Sequence, residues 1–396
     1  MSIGSRQLRA RWVFPVDQPP LENGVVEVLG NEIVAVRPYR SGDAVEDLGD
    51  VALLPGLVNA HTHLEFSHLT KPLGQPRMAF PDWIRLVIEY RRTVGQTSSS
   101  ARDAVAAGLA ESHACGVALL GEIATYEQPH PSDQPEQVVF AELLGLKVER
   151  IEPLWQRAQQ VVADAGSVCH GLSPHAPYTV HPELLVRVCE LSAEKQFPVA
   201  MHLAESLEEI EFLQAGSGRM VELLQEFNAF ARVVPRGTRP LEYLQQLAGA
   251  WKSLVIHGNF LSPDEIEFAG QRSERMSIVY CPRTHAYFNA GDYPLAEMLA
   301  ANVNVCLGTD SRATNPDLSL FEEMRFVAQR HPRVTPEGVL YLGTQAGADA
   351  LGQGDRYGSI TPGKSARLTK VALKSFHAVD PHELLFEAGT GSSLLD

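Results

Sequence analysis

Four imidazoles and two carboxylates in this chain stand where short apolar runs end. LLPGLVNA runs into His61-Thr62-His63, FPVAM into His202-Leu203-Ala204-Glu205, SLVI into His257-Gly258-Asn259, and NVNVCL into Gly308-Thr309-Asp310-Ser311. With a strand period of two, His61 and His63 point to one face, as two ligands of one metal must. Each feature alone has a plainer explanation. H-x-H pairs occur without metal, a strand-end His is commonly a hydrogen-bonded structural residue, and G-T-D-S also reads as a turn or helix N-cap. Four strands delivering such groups to one mouth suit Zn2+ or another borderline divalent ion with nitrogen and oxygen ligands.

The elements that must position these groups are countable. From Leu53 onward, eight apolar runs alternate with helical stretches such as SARDAVAAGLAESHACG and HPELLVRVCELSAEKQF. The runs are LLPGLVNAHTHLE, GVALLGEIATY, QVVFAELLGL, SVCHGLSPHAPYT, FPVAMHLAES, SLVIHGNF, SIVYCPRTHAYF and NVNVCLGTDS. Eight strand–helix units predict an α/β fold, a (β/α)8 TIM-type barrel, whose chemistry gathers at the C-terminal strand ends. ENGVVEVLG and NEIVAVRPY near the N-terminus, and RYGSITPGKSARLTKVAL near the other end, read as short strands. Residues 1–55 plus 355–396 are therefore expected to form a small discontinuous β-sandwich domain, with 56–354 as the barrel.

Composition narrows the partners. The chain has 396 residues, with 33 Lys and Arg against 48 Asp and Glu, a formal charge of −15. An acidic chain without a dense basic cluster is poorly matched to nucleic-acid phosphates or anionic lipid, so a small-molecule partner is expected. No apolar run approaches the ~18 residues that span a bilayer. Five cysteines without a C-x-x-C pair favour reduced thiols. The first twenty residues lack the apolar core of a signal peptide, and a cytoplasmic protein is expected. TIM-type barrels are commonly oligomeric and a homo-oligomer stays an open expectation, although no motif encodes one.

Taken together, PGLVNAHTHLEFSH, SPHAPYTVHPEL, MHLAES, VIHGNF, CPRTHAYF and LGTDSRATNPDLSLFEEMR occur in the order that resembles the amidohydrolase superfamily. The likeness is to its cytosine/purine deaminase and chlorohydrolase branch and covers nearly the whole chain. The segment TPGKSARLTKV resembles the family's P-G-K-x-A-D-L, with Arg367 where an acidic residue is customary. The resemblance implies His61, His63, His202 and Asp310 as metal ligands, Glu205 as proton shuttle, and His257 as the group orienting the metal's water. A two-metal branch uses a Lys at the end of strand four. Here that strand ends in Ser173-Pro174-His175, and Lys147 after strand three reads as an exposed residue, so one metal is expected. Zn2+ and Fe2+ both accept these ligands.

The implied reaction is hydrolysis of a heteroaromatic amine. A divalent metal lowers the pKa of bound water from 15.7 towards ~7. Glu205 would carry a proton to a ring nitrogen, and Asp310 a second proton to the leaving amine. Substrate choice rests on loop residues. His175 matches the position that contacts the base in adenine-type deaminases of this branch. Glu65 lies just past the H-x-H, as a substrate contact or a partner to a ligand His. HTHLEFS followed by FPDWIRLVIEYRR resembles aminofutalosine deaminases, which act on an adenine nucleoside carrying an aromatic carboxylate. There Trp83 would wall the pocket, and Arg85, Arg91 or Arg92 would meet a carboxylate or ribose. Phe80, Trp83, Ile84, Val87 and Ile88 also form one helical stripe, most simply a packing face. Arg283 in CPRTH would reach a substrate anion or sit in a salt bridge, and His285 departs from the Asn usual there. The leading expectation is a mononuclear deaminase of an adenine-type nucleoside such as 6-aminodeoxyfutalosine. The alternatives are a guanine, pterin or cytosine deaminase, a triazine chlorohydrolase, and a catalytically silent barrel scaffold.

Overall fold

The computed structural model describes residues 4–93, 98–125, 135–163, 169–375 and 378–395. Numbered within the barrel, its strands are β1 (Leu57–Thr62), β2 (Val117–Ala124), β3 (Glu136–Leu143), β4 (Cys169–Pro174), β5 (Pro198–Leu203), β6 (Lys252–His257), β7 (Met276–Tyr280) and β8 (Asn304–Leu307). All eight expected strands are present, each paired in parallel with its sequence neighbours. Tyr126, at the end of the second run, and Ser167 and Val168, at the start of the fourth, lie outside the described residues. Every residue of β1, β2 and β5 is buried, because one face lines the barrel interior and the other meets the helices. That two-sided burial explains why the runs are continuously apolar rather than alternating.

The ring closes at the mouth, through the candidate ligands' own backbone. Thr62 bridges Asp310. The Asp310 N–H donates to the His61 carbonyl at 3.1 Å, and the His63 N–H to the Asp310 carbonyl at 3.3 Å. The Asn59 side chain ties the same seam, donating to Thr309 Oγ1 at 2.8 Å and accepting from the Thr309 N–H at 3.1 Å. Gly308 permits the approach, since a Cβ there would come 2.9 Å from His61 Cβ.

The connecting helices carry ordinary end signals. Pro182–Lys195 starts after His181, whose ring accepts from the Glu183 N–H at 3.2 Å, and ends at Gln196 with φ 58°. Among the described residues, no helix is long and apolar enough to cross a membrane. The five cysteines are unbridged.

Both chain ends build a separate seven-stranded sheet. Its path runs Ser392–Leu394, Leu368–Ala372, Val51–Pro55, Ser5–Val13, Leu21–Leu29, Glu32–Pro38, with Glu46–Asp47 paired off the path to Ser5–Val13. Val51–Pro55 and Leu368–Ala372 pair antiparallel over five residues and so join the two ends. Ser5–Val13 was not among the expected strands. Leu8, Ala10 and Val13 face the core, while Arg6 and Arg9 pair with Glu46 and Asp47 and blur the alternation in the sequence. The chain passes into the barrel at Gly56, where a Cβ would lie 2.2 Å from Ala118 Cβ. We propose a domain division that follows this junction, 1–55 with 355–396 against 56–354.

Candidate metal centre and active site

The triad of His61, His63 and His202 converges inside the mouth, with one ring nitrogen from each lying within 4.8 Å of the others. His61 sits on β1, His63 one residue past it, and His202 on β5. Burial is the leading reason that all three imidazoles stay neutral, pushing His61 down to about 3 and the other two well below the usual histidine range. His202 Nδ1 lies 3.2 Å from the His175 carbonyl, which can only accept, so Nδ1 carries the hydrogen and Nε2 offers a lone pair.

Whether these residues suit a metal is decided by their unmet nitrogens. Both ring nitrogens of His61 and Nδ1 of His63 are buried without a hydrogen-bond partner among the described residues. His63 Nε2 lies 3.3 Å from His202 Nε2, close to the separation of two nitrogens each ~2.0–2.1 Å from a tetrahedral zinc. Asp310 Oδ1 approaches His61 Nε2 at 3.7 Å and His63 Nε2 at 3.9 Å, while Oδ2 accepts from Thr314 Oγ1 at 3.2 Å. A neutral, buried nitrogen set with an adjacent carboxylate fits a divalent cation. Lys147 is remote from this role, its ammonium donating to Asn228 at 3.1 Å.

Glu205 and His257 face each other beside the triad, with Oε1 and Nε2 3.3 Å apart. Burial raises the Glu205 carboxyl well above the usual range, and Asp310 and Glu209 push the same way. It therefore holds a proton more tightly than an exposed glutamate. The backbone at this rim is unusual. Ala204, His257 and Asp310 have φ of 55°, 70° and 57°, a left-handed conformation that is uncommon for non-glycine residues and concentrates at functional sites.

A cavity of about 1000 Å3, including its open mouth, rises above the triad. Its floor holds His63, His202, Glu205, His257 and Asp310, and His175 and Trp83 line its wall. The stripe Phe80, Trp83, Ile84, Val87 and Ile88 on helix Phe80–Thr93 also lines this cavity, so it is a binding wall as well as a packing face. Of the three arginines on that helix, Arg91 lines the cavity; Arg85 pairs with Asp82 and Glu226, and Arg92 lies over the Phe227 ring.

Two expected substrate contacts do not face the cavity. Glu65 stands behind Arg91, whose guanidinium it holds at 2.6 Å, and does not partner a ligand histidine. Arg283 is turned away into Asp317 at 2.8 Å and Glu323 at 2.7 Å. The salt-bridge alternative is thus the one the geometry follows. Arg283→Met is expected to leave KM within about twofold while losing ~3–5 kcal/mol of stability, because it strands the buried Glu323. Chemical unfolding alongside substrate titration checks this. A large KM rise at unchanged stability would restore a substrate role.

The amidohydrolase family model matches residues 52–390, most of the chain. The chain belongs to the amidohydrolase family. The 5-methylthioadenosine/S-adenosylhomocysteine deaminase of Syntrophobacter fumaroxidans is 30% identical over 394 residues, covering 90% of this chain and 81% of that one. The aminodeoxyfutalosine deaminase of Deinococcus radiodurans is 28% identical over 362 residues, covering 83% and 81%. Helicobacter pylori aminofutalosine deaminase, solved with methylthio-coformycin, superposes with a TM-score of 0.83 at 22% identity, covering 98% of this chain and 97% of that one. For this amidohydrolase, family membership and the triad geometry agree on a divalent-metal site.

Two buried carboxylates that position the site escaped the sequence reading. Glu122, on β2, accepts from Thr62 Oγ1 at 2.6 Å and from the Leu64 N–H at 3.0 Å, clamping the H-T-H segment. Glu209 accepts from the Ala204 and Glu205 N–H groups at 2.8 and 2.9 Å, fixing the turn that aims Glu205. Burial pushes Glu209 up to about 7 despite those bonds. H-L-A-E-S-x-x-E was the available signal, a glutamate three residues after the Ser206 N-cap, but it is indistinguishable in sequence from a helix-start acid.

Proposed function

We propose that this amidohydrolase is a mononuclear metal-dependent deaminase of an adenine-type nucleoside, with 6-aminodeoxyfutalosine as its substrate. The observation that carries the reading is the pairing of a proton-holding Glu205 with the histidine triad on the floor of a largely apolar cavity. Aromatic walls there, Phe80 and Trp83, have stacked rings 5.8 Å apart and suit a flat heterocycle. The named deaminase relatives support the same substrate class. A neighbouring cavity shares Leu144, Tyr178, Thr179, Leu224 and Ala229 with the first and adds the charged groups Lys147, Glu149 and Arg150. With two cations against one carboxylate, that side lobe gives room and a net positive charge for an anionic tail on the nucleoside.

His61, His63, His202 and Asp310 would hold the ion, Zn2+ by preference for a nitrogen-rich set. When bound, it supplies the Lewis acidity that makes water a competent nucleophile near neutral pH. Glu205 takes the first proton of the attacking water and delivers it to the ring nitrogen beside the amino-bearing carbon, which makes that carbon electrophilic. His257, 3.3 Å from Glu205, orients the incoming oxygen. Asp310, its Oδ2 held by Thr314, takes the second proton and passes it to the leaving amine, so that water and the amine become a ring carbonyl and ammonia. Positioned proton transfers of this kind are worth ~10²–10⁴-fold.

Ammonia release by the Zn2+-loaded protein tests the reading. The panel is 6-aminodeoxyfutalosine, adenosine, S-adenosylhomocysteine, guanine, a pterin and cytosine. Fastest turnover is expected for 6-aminodeoxyfutalosine. Preference for guanine, pterin or cytosine would overturn the adenine assignment, and silence across the panel would remove the deaminase reading.

A further inference from the structure

Behind the cavity wall lies a carboxylate that the proposed reaction does not use. Glu142 stands near the end of β3 with its side chain 1% exposed, and neither oxygen has a hydrogen-bond partner among the described residues. Burying a carboxyl group unbonded is costly, so such a group calls for an explanation. Each oxygen faces a different cavity-lining residue. Oε1 lies 3.9 Å from His175 Nε2, and Oε2 lies 4.0 Å from Arg91 Nη2. Burial pushes the Glu142 carboxyl up, and the charges of Arg91 and Arg157 oppose that. Glu65, 2.6 Å from the same Arg91 Nη2, holds the guanidinium in place.

The hydrogen bonds of His175 leave a binary choice. The neutral ring carries one hydrogen. Nδ1 lies 2.7 Å from Thr179 Oγ1, and that bond forms whichever partner donates; the single hydroxyl hydrogen also has the Ala176 carbonyl within reach at 3.2 Å. With the hydrogen on Nδ1, the Nε2 lone pair would face a carboxylate oxygen. With it on Nε2, the Thr179 hydroxyl gives up the longer Ala176 bond to donate to Nδ1, and the positive end of the N–H dipole lies towards Glu142, whose charge must outweigh that loss. At 3.9 Å the carboxylate is beyond hydrogen-bond reach, so it favours this tautomer without consuming its hydrogen.

We propose that Glu142 is a positioning residue that selects the Nε2–H tautomer of His175, so that the cavity presents a hydrogen-bond donor to an acceptor nitrogen of the substrate ring. The identity of that ring rests on the deaminase reading; the tautomer does not. The donor discriminates among heterocycles by demanding a lone pair on the ring edge away from Glu205.

The tautomer is readable by nitrogen NMR of the Zn2+-loaded protein labelled with 15N-histidine, the His175 signals being those lost in His175→Gln. Expected are Nε2–H in the wild type, a shift towards Nδ1–H in Glu142→Gln, and recovery of Nε2–H in Glu142→Asp. Nδ1–H in the wild type, or an unchanged tautomer in a folded Glu142→Gln, overturns the proposal. Should Glu142→Gln not fold, the wild-type tautomer and Glu142→Asp still decide. Kinetics give a second readout. One of the 3-deaza or 7-deaza adenine nucleosides should lose about tenfold in kcat/KM with the wild type, the effect of one missing hydrogen bond, and show no such extra loss with Glu142→Gln. If no adenine nucleoside is turned over, the deaminase reading falls, while the NMR result judges Glu142 by itself.

Discussion

Glu205→Gln is expected to bind its metal as the wild type does and to lose ~10²–10⁴-fold or more in turnover. The substitution keeps size and shape, and the Glu205 backbone N–H still donates to Glu209 at 2.9 Å, so the loop that carries the side chain has no reason to move. What disappears is a group able to release and recover a proton. Burial holds the wild-type carboxyl well above the usual range, which equips it to arrive at the substrate protonated; an amide cannot fill that role. Metal content by atomic absorption and ammonia release from the preferred substrate measure the two halves separately. Wild-type turnover in the variant would remove Glu205 from the reaction. Loss of metal would show that the residue helps to build the site.

Chelation is expected to abolish turnover and to lower the melting temperature, with both restored by Zn2+. The folded chain holds three neutral imidazoles together, with both nitrogens of His61 and Nδ1 of His63 unbonded, whereas the unfolded chain has no preformed site. A ligand that binds only the folded state at a thousandfold excess over its Kd adds about 4 kcal/mol. Acid should act on the metal-free protein in the same direction. His61 titrates at about 3 when folded and near its ordinary 6.5 when unfolded. Between those values the unfolded chain binds a proton that the folded chain refuses, so this contribution to stability falls as pH drops from 6.5 towards 3. A chelated protein with an unchanged melting curve and full activity would show that the triad is a structural cluster.

The barrel was legible in the sequence because parallel strands buried on both faces read as continuous apolar runs. Each of the eight runs contains a barrel strand, and the polar groups that end those strands meet at one mouth. The terminal sheet was legible only in part: Ser5–Val13 carries arginines that pair with Glu46 and Asp47, and a half-exposed strand with such partners has no clean alternation. The His61–His63 spacing was enough to put two imidazoles on one face, because a strand repeats every two residues. Residues acting through others were invisible. Glu122, Glu142 and Glu209 are buried, although glutamate normally reads as surface.

What the sequence by itself determined is the set of chemical groups and their order along the chain. Local periodicity dictates which residues end strands, and parallel strands in register bring those ends to one rim. Only the tertiary structure decided which side chains enter the cavity. The choice between Arg91 facing the cavity and Arg283 buried against Glu323 depends on a carboxylate 40 residues further along the chain. So does the turning of an apolar helix face into a binding wall depend on what lies opposite it. These outcomes follow from which charges and surfaces meet across the folded mouth, and spacing along a chain does not encode distance across it.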